Sequence, residues 1–130
     1  MKNDHRPINV NPSDLMAFAW PLSAIASITH RIAGVVLFAG IAFGLYALDM
    51  SLSSAAGFDT LKGMLNSPLG MFITWGLLSA LAYHFVAGIK HLMLDMEIGD
   101  TLEGSKFAAR TTMLVSAILI FLAAVWVVQS

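Results

Sequence analysis

The chain contains no cysteine. Disulfides, thiolate metal sites, iron–sulfur clusters and covalently attached c-type haem are therefore excluded within this chain. Charge is scarce as well, since only 12% of the 130 residues are charged whereas soluble domains carry about 25%. A net charge of −1 offers no electrostatic surface for nucleic acid, and a composition that is 58% hydrophobic excludes a disordered chain.

Long stretches without any charged residue dominate the sequence. Ile32–Leu48 has 17 residues, Gly63–Ile89 has 27 and Thr111–Ser130 has 20. A membrane-spanning helix needs about 20 mostly apolar residues, and its backbone polar groups must be satisfied within the helix. The first stretch reaches this length if its helix starts ahead of Arg31, near Leu22. A soluble three-helix core is disfavoured because these segments lack polar outer faces.

The sequence therefore predicts an all-α membrane protein with three transmembrane helices that run up, down and up. We expect residues 1–130 to form one domain. Its N-terminal segment, 1–21, should lie on the cytoplasmic side, and the spans should fall near 22–48, 69–94 and 107–128.

The ends of these helices carry recognisable signals. Trp20-Pro21 and Ser67-Pro68 should precede or open the first and second helices, because proline is tolerated in a first helical turn and serine is a good N-cap. Small and polar residues predict a loop at Ser51–Gly57. Four acids and two glycines predict another at Asp95–Lys106.

The distribution of basic residues predicts the orientation. Six of the seven basic residues lie in the N-terminal segment, near the start of the first helix, or near the second loop, and they are Lys2, Arg6, Arg31, Lys90, Lys106 and Arg110. Only Lys62 lies on the other side. Basic residues favour the cytoplasmic side, so the N-terminus should be cytoplasmic and the C-terminus periplasmic. The lack of a transit-peptide pattern favours a bacterial inner membrane over a mitochondrial one.

Polar residues cluster on one face of the first helix. Ser27, His30, Arg31 and Gly34 are spaced i, i+3, i+4 and i+7, which places them on one side. Their hydroxyl, imidazole and guanidinium groups suit a carbonyl or carboxylate ligand near the cytoplasmic surface. Alternatively, Arg31 reaches lipid phosphates and His30 simply sits at the interface.

His84 is the most deeply placed ionisable residue, about 13 Å from the expected cytoplasmic end of the second helix. An imidazole there can bind a metal, relay protons or hydrogen-bond another helix. Its small neighbours Ala87 and Gly88 favour close packing against a broad partner, either a haem plane or a helix. His30 and His91 lie too near the surface to supply an opposite axial ligand, so a second ligand would come from another chain.

Three blocks resemble a known family. They are Arg6-Pro7-Ile8-Asn9, Ser27-x-x-His30-Arg31-x-x-Gly34 and His84-x-x-x-Gly88-x-x-His91-x-x-x-Asp95. In this order, and on these helices, they resemble the cytochrome b subunit of succinate dehydrogenase (respiratory complex II). The chain departs from the usual pattern at Lys90, where the family generally has arginine, a residue with a bidentate donor fork that lysine lacks.

The resemblance implies specific roles. His84 would be an axial ligand of a b-type haem, shared with a second, smaller anchor subunit that supplies the other histidine. His30 and Arg31 would approach the haem propionates, and His91 would belong to the same cofactor-binding group. Ser27 and Arg31 would hydrogen-bond a quinone, expected to be ubiquinone.

The resemblance also implies partners. A flavoprotein would oxidise succinate, an iron–sulfur subunit would pass the electrons on, and phospholipid would surround the anchor; no catalytic residue for succinate oxidation is expected in this chain. Two alternatives stay open. The chain could be the anchor of a fumarate reductase, or a membrane subunit without redox function, such as a structural or transporter subunit with a proton-relay histidine.

Overall fold

The structure, a computed structural model, describes Ser13 and residues 19–130. Most of the predicted cytoplasmic segment therefore lies outside the described residues. Residues 19–130 form four helices, and these are α1 (Leu22–Ser53), α2 (Ala55–Leu65), α3 (Pro68–Asp95) and α4 (Leu102–Gln129). No strand occurs within the described ranges, which confirms the prediction of an all-α fold.

Three of the four helices are long and apolar enough to cross a membrane. They are α1, α3 and α4, with 32, 28 and 28 residues and mean hydropathies of 2.0, 1.5 and 2.5. At 1.5 Å per residue, even the shorter ones are about 42 Å long, which exceeds the roughly 30 Å of a hydrocarbon core. The predicted number of spanning helices is confirmed, and each predicted span falls within one of them.

The long helices are antiparallel neighbours, with α3 in the middle. The Tyr83 side chain reaches Ala26, and Leu77 lies against Gly40, so positions rise along α1 as they fall along α3. A Cβ at Gly40 would lie 2.7 Å from the Leu77 side chain, so glycine allows this contact. On the other side, the Trp75 indole N–H donates to the carbonyl of Ile120 at 3.2 Å.

The predicted loop at Ser51–Gly57 is wrong. The chain stays helical to Ser53, and the hydroxyls of Ser51 and Ser53 each donate to a carbonyl three residues earlier, at 2.8 Å. The helix breaks only at Ser54, whose backbone is extended and whose side chain accepts the N–H of Gly57 at 3.0 Å. That cap starts α2, a short helix that was not predicted because small polar residues are typical of loops.

The connection from α3 to α4 is shorter than predicted. Residues 96–101 form it, and Glu97 and Gly99 have positive φ of 60° and 78°. Glycine accommodates this backbone without strain. Thr101 then caps α4 by accepting the N–H of Gly104 at 3.0 Å. A connection this short keeps α3 and α4 side by side.

The start of α3 agrees with its sequence signal. Ser67 is the N-cap, its side chain accepts the N–H of Gly70 at 3.1 Å, and Pro68 occupies the first turn. The start of α1 agrees too, since the helix begins directly after Pro21.

Small residues form the buried contacts between the long helices. Ala26 and Ala33 of α1, Ala87 of α3 and Ala109 of α4 are buried, as is the larger Tyr83. Small side chains let helix backbones approach closely where no water drives association. These contacts lie in the half of the bundle where α1 begins and α3 ends, which is the half that holds the histidines.

Candidate functional site

Three histidines from two helices meet beside the α1–α3 contact. The ring of His30 stacks on that of His84, with centroids 4.1 Å apart and planes inclined by 17°. On its other side, His30 lies 5.0 Å from the ring of His91. The sequence placed His84 and His91 on one face of α3 and His30 on a face of α1. The structure brings those two faces together.

The position of one hydrogen on His84 follows from its contact with α1. His84 Nδ1 lies 3.1 Å from the backbone carbonyl oxygen of His30. A carbonyl can only accept, so Nδ1 must carry the hydrogen and donate it. In a neutral imidazole the lone pair is then on Nε2. This nitrogen bonds to no described residue and is not enclosed, so it is free to bind a ligand.

Glycine allows His84 to lie this close to α1. A Cβ at Gly34 would stand 3.1 Å from Cε1 and 3.5 Å from Nδ1 of His84. The former distance is shorter than ordinary van der Waals contact, so a side chain at Gly34 would push the imidazole away. The flat His84 ring therefore lies in the space that Gly34 leaves on α1.

His30 has a polar atom with no partner. Its Nε2 is enclosed and forms no hydrogen bond with any described residue. A Cβ at Gly88 of α3 would lie 3.6 Å from that nitrogen. Buried polar atoms are rarely left unpaired. A donor or acceptor from outside the described residues is therefore expected at this nitrogen.

Tyr83 fixes the turn of α1 that precedes the histidine. Its side chain is buried, and its hydroxyl donates to the carbonyl of Ala26 at 2.9 Å. A buried tyrosine hydroxyl normally finds such a partner. The bond holds the backbone next to Ser27 and one turn before His30. Sequence reasoning missed this residue, although its position beside His84 is a usable signal.

Ser27 and Arg31 are available to an external ligand. Ser27 is half-buried and Arg31 is exposed, and neither side chain hydrogen-bonds to any other described residue. Arg31 nevertheless lies near enough to His91 for their charges to interact. The side chains therefore present a hydroxyl and a guanidinium beside the histidine cluster, as the spacing predicted.

Ala87 packs against other residues of this chain. Ala87 is completely buried in a cluster with Ala33 and Tyr83, against which Ala80 and Met113 also pack. The sequence left open whether Ala87 packs against a haem plane or against a helix. In the structure it packs against a helix. Gly88, by contrast, faces the His30 ring.

The site does not contain a complete set of metal ligands. Among the described residues, no group of three or more histidine, cysteine, aspartate or glutamate side chains is arranged to hold a metal ion. His84 offers a metal one nitrogen, Nε2, on a ring whose other nitrogen contacts the His30 carbonyl. Such a hydrogen bond orients the ring of a metal-binding histidine and makes its nitrogen more basic.

Comparison with known proteins gives a consistent result. Residues 2–126 match the family described as succinate dehydrogenase/fumarate reductase transmembrane subunit. The succinate dehydrogenase cytochrome b556 subunit of Coxiella burnetii is 38% identical over 127 residues, 96% of this chain and 98% of that one. The same subunit of Paracoccus denitrificans is 32% identical over 115 residues, 88% of this chain and 86% of the relative.

A mitochondrial relative is more distant. The succinate dehydrogenase cytochrome b560 subunit of Sus scrofa is 30% identical over 100 residues, which cover 75% of this chain and 57% of the pig subunit.

Proposed function

Because this chain belongs to the succinate dehydrogenase/fumarate reductase transmembrane subunit family, we propose that it is the haem b-binding membrane anchor of a succinate:quinone oxidoreductase. In this role it binds haem together with a second anchor subunit and forms part of the site where quinone is reduced. The relatives named above are all subunits of succinate dehydrogenase, which favours this enzyme over a fumarate reductase.

The observation that carries the proposal is the hydrogen bond between His84 and the His30 carbonyl, 3.1 Å long. It leaves the lone pair on Nε2, the nitrogen that an axial ligand of haem iron needs. The donor set fits a b-type haem with one axial histidine from this chain and one from a partner. When bound, the haem stores and releases one electron at a time.

The remaining histidines and Arg31 suit the acidic edge of a haem. The unpaired Nε2 of His30 needs a partner, and a propionate carboxylate would be a chemically suitable one. Arg31 and His91 lie on the same side of the cluster. They add positive or neutral donors there, and the Asp95 carboxylate also interacts with His91. All three assignments are part of the proposal.

Ser27 and Arg31 would hold the quinone. The Ser27 hydroxyl donates a hydrogen bond to one carbonyl oxygen of the ring, and the Arg31 guanidinium donates to the same region while holding a positive charge. That charge stabilises the negative charge that develops on the oxygen as electrons arrive. The chain has no cysteine, so the iron–sulfur clusters that deliver the electrons would belong to a partner subunit, and the flavin to another.

The proposal is tested on the complex that forms around this chain. The chain, tagged at its C-terminus, is purified from its own membranes in mild detergent. We expect it to bring along a flavoprotein and an iron–sulfur protein, to show a b-type haem in the reduced-minus-oxidised spectrum, and to reduce ubiquinone with succinate. A purified chain without haem or redox partners would instead favour a structural or transporter subunit.

The orientation can be tested separately. We propose that the N-terminus is cytoplasmic, because four of the five basic residues in the described part of the chain, all except Lys62, lie at that end of an antiparallel bundle. Alkaline phosphatase fused after Ser130 should therefore be active, since this enzyme works only outside the cytoplasm. The same fusion within the connection at 96–101 should be inactive. The reverse pattern would contradict the orientation.

A further inference from the structure

Lys90 is a buried cation without a counter-charge. Only 5% of its surface is exposed, and it forms no ion pair or hydrogen bond with any described residue. The titratable groups whose charges interact with it are His30 and His91, and both are bases. A buried ammonium is costly unless it is paired. A negative group from outside the described residues is therefore expected.

Lys90 lines a groove between α3 and α4 that is separate from the histidine cluster. The groove has a volume of about 360 Å³ and is almost entirely apolar apart from Lys90 and two threonines. Its walls include Val86, Ile89 and Met93 from α3, and Ala108 from α4. At 100° per residue, Val86, Ile89 and Met93 lie on the side of α3 opposite His84 and His91. The ligand of this groove is therefore not the ligand of the histidines.

The depth of Lys90 suits the boundary between lipid tails and head groups. α3 has 28 residues, so it is about 42 Å long and exceeds a 30 Å hydrocarbon core by about 6 Å at each end. Lys90 lies five residues before the end of α3 at Asp95, or about 7.5 Å along the axis. At this level a phospholipid changes from acyl chain to phosphate.

We propose that the groove binds one membrane phospholipid, with its phosphodiester against the Lys90 ammonium and an acyl chain along the apolar walls. The charge of the phosphate complements the unpaired lysine, and the walls match a hydrocarbon tail. The opening of the groove includes Gly99 and Gly104, next to the first turn of α4.

The test counts tightly bound lipid on the whole complex. The complex is stripped of loosely bound lipid in detergent, titrated with phosphatidylglycerol or phosphatidylethanolamine, and examined by native mass spectrometry. We expect Lys90→Met to weaken the retention of one phospholipid by roughly ten- to hundredfold, which is the value of a hydrogen bond to a charged group. Both lipids should show the effect, because both carry the phosphodiester.

A matched control and a second variant make the result specific. Lys106 is exposed on the same side of the membrane and does not line the groove, so Lys106→Met should retain lipid as the original chain does. Ala108→Phe keeps the lysine but fills the groove, and it should also lose the lipid. Assembly of each variant is checked by its flavin content.

Three results would overturn the proposal. In the first, Lys90→Met retains phospholipid as well as Lys106→Met does. In the second, inorganic phosphate displaces the lipid as readily as another phospholipid does, so that the site is one for free phosphate. In the third, Lys90→Met alters the haem spectrum and leaves the bound lipid unchanged, so that the counter-charge is on the haem side.

Discussion

Replacing His84 with leucine should eliminate the low-spin spectrum of b-type haem from the assembled complex. The reason is that His84 Nε2 has no hydrogen-bond partner among the described residues, and the 3.1 Å contact between Nδ1 and the His30 carbonyl orients its ring. Leucine suits the membrane, so the helix should still insert. The measurement is the reduced-minus-oxidised spectrum, expressed per mole of flavin in the purified complex.

His91→Leu is the matched control, because it makes the same replacement two turns further along the same helix. His91 contacts His30 at 5.0 Å but does not contact His84 in the ring stack. We expect haem to stay bound and low-spin in this variant. An unchanged low-spin spectrum in His84→Leu would show that His84 is not an axial ligand.

Replacing Arg31 with leucine should nearly abolish quinone reduction. Arg31 is exposed beside the cluster and has no hydrogen-bond partner among the described residues, so it is free to bind a ligand. A hydrogen bond to a charged group is worth about 1.5–3 kcal/mol, or roughly ten- to hundredfold in rate. Arg31 can donate two such bonds. Ser27→Ala removes one neutral bond and should slow reduction by only about two- to tenfold.

An artificial electron acceptor separates this role from a structural one. Succinate oxidation with an acceptor that takes electrons ahead of quinone should survive both Arg31→Leu and Ser27→Ala. If Arg31 instead reaches lipid phosphates, Arg31→Leu would lower the amount of complex but leave quinone reduction per flavin normal. That outcome would contradict the quinone assignment.

The sequence predicted the long helices well because the bilayer imposes a simple rule on them. Three uncharged stretches of sufficient length left little alternative to three spans. The last residues of α1 and the start of α2 were missed for a local reason. Ser51 to Ser54 look like a loop, but serine hydroxyls can bond to carbonyls of their own helix. The choice between helix and loop there depends on where the chain packs afterwards.

The sequence predicted which helix face carries each site residue, but it did not predict the contacts between those residues. Helical spacing correctly grouped Ser27, His30 and Arg31 on one side of α1. It could not tell that the backbone carbonyl of His30, rather than its ring, would orient His84, since backbone groups leave no trace in composition. The burial of Lys90 was equally hidden, because it depends on how closely α4 approaches α3.

The uneven packing of the three long helices has a consequence for the order in which the protein is built. Within the chain, 17% of the most apolar window of α4 is buried, but only 6% of that of α1. α3 and α4 are joined by six residues and share the most extensive contact, so they can pair first as a hairpin. α1 must then dock on that hairpin, and with it come Ser27, His30 and Arg31. If the hairpin forms first, we expect the proposed ligand-binding face to be completed last.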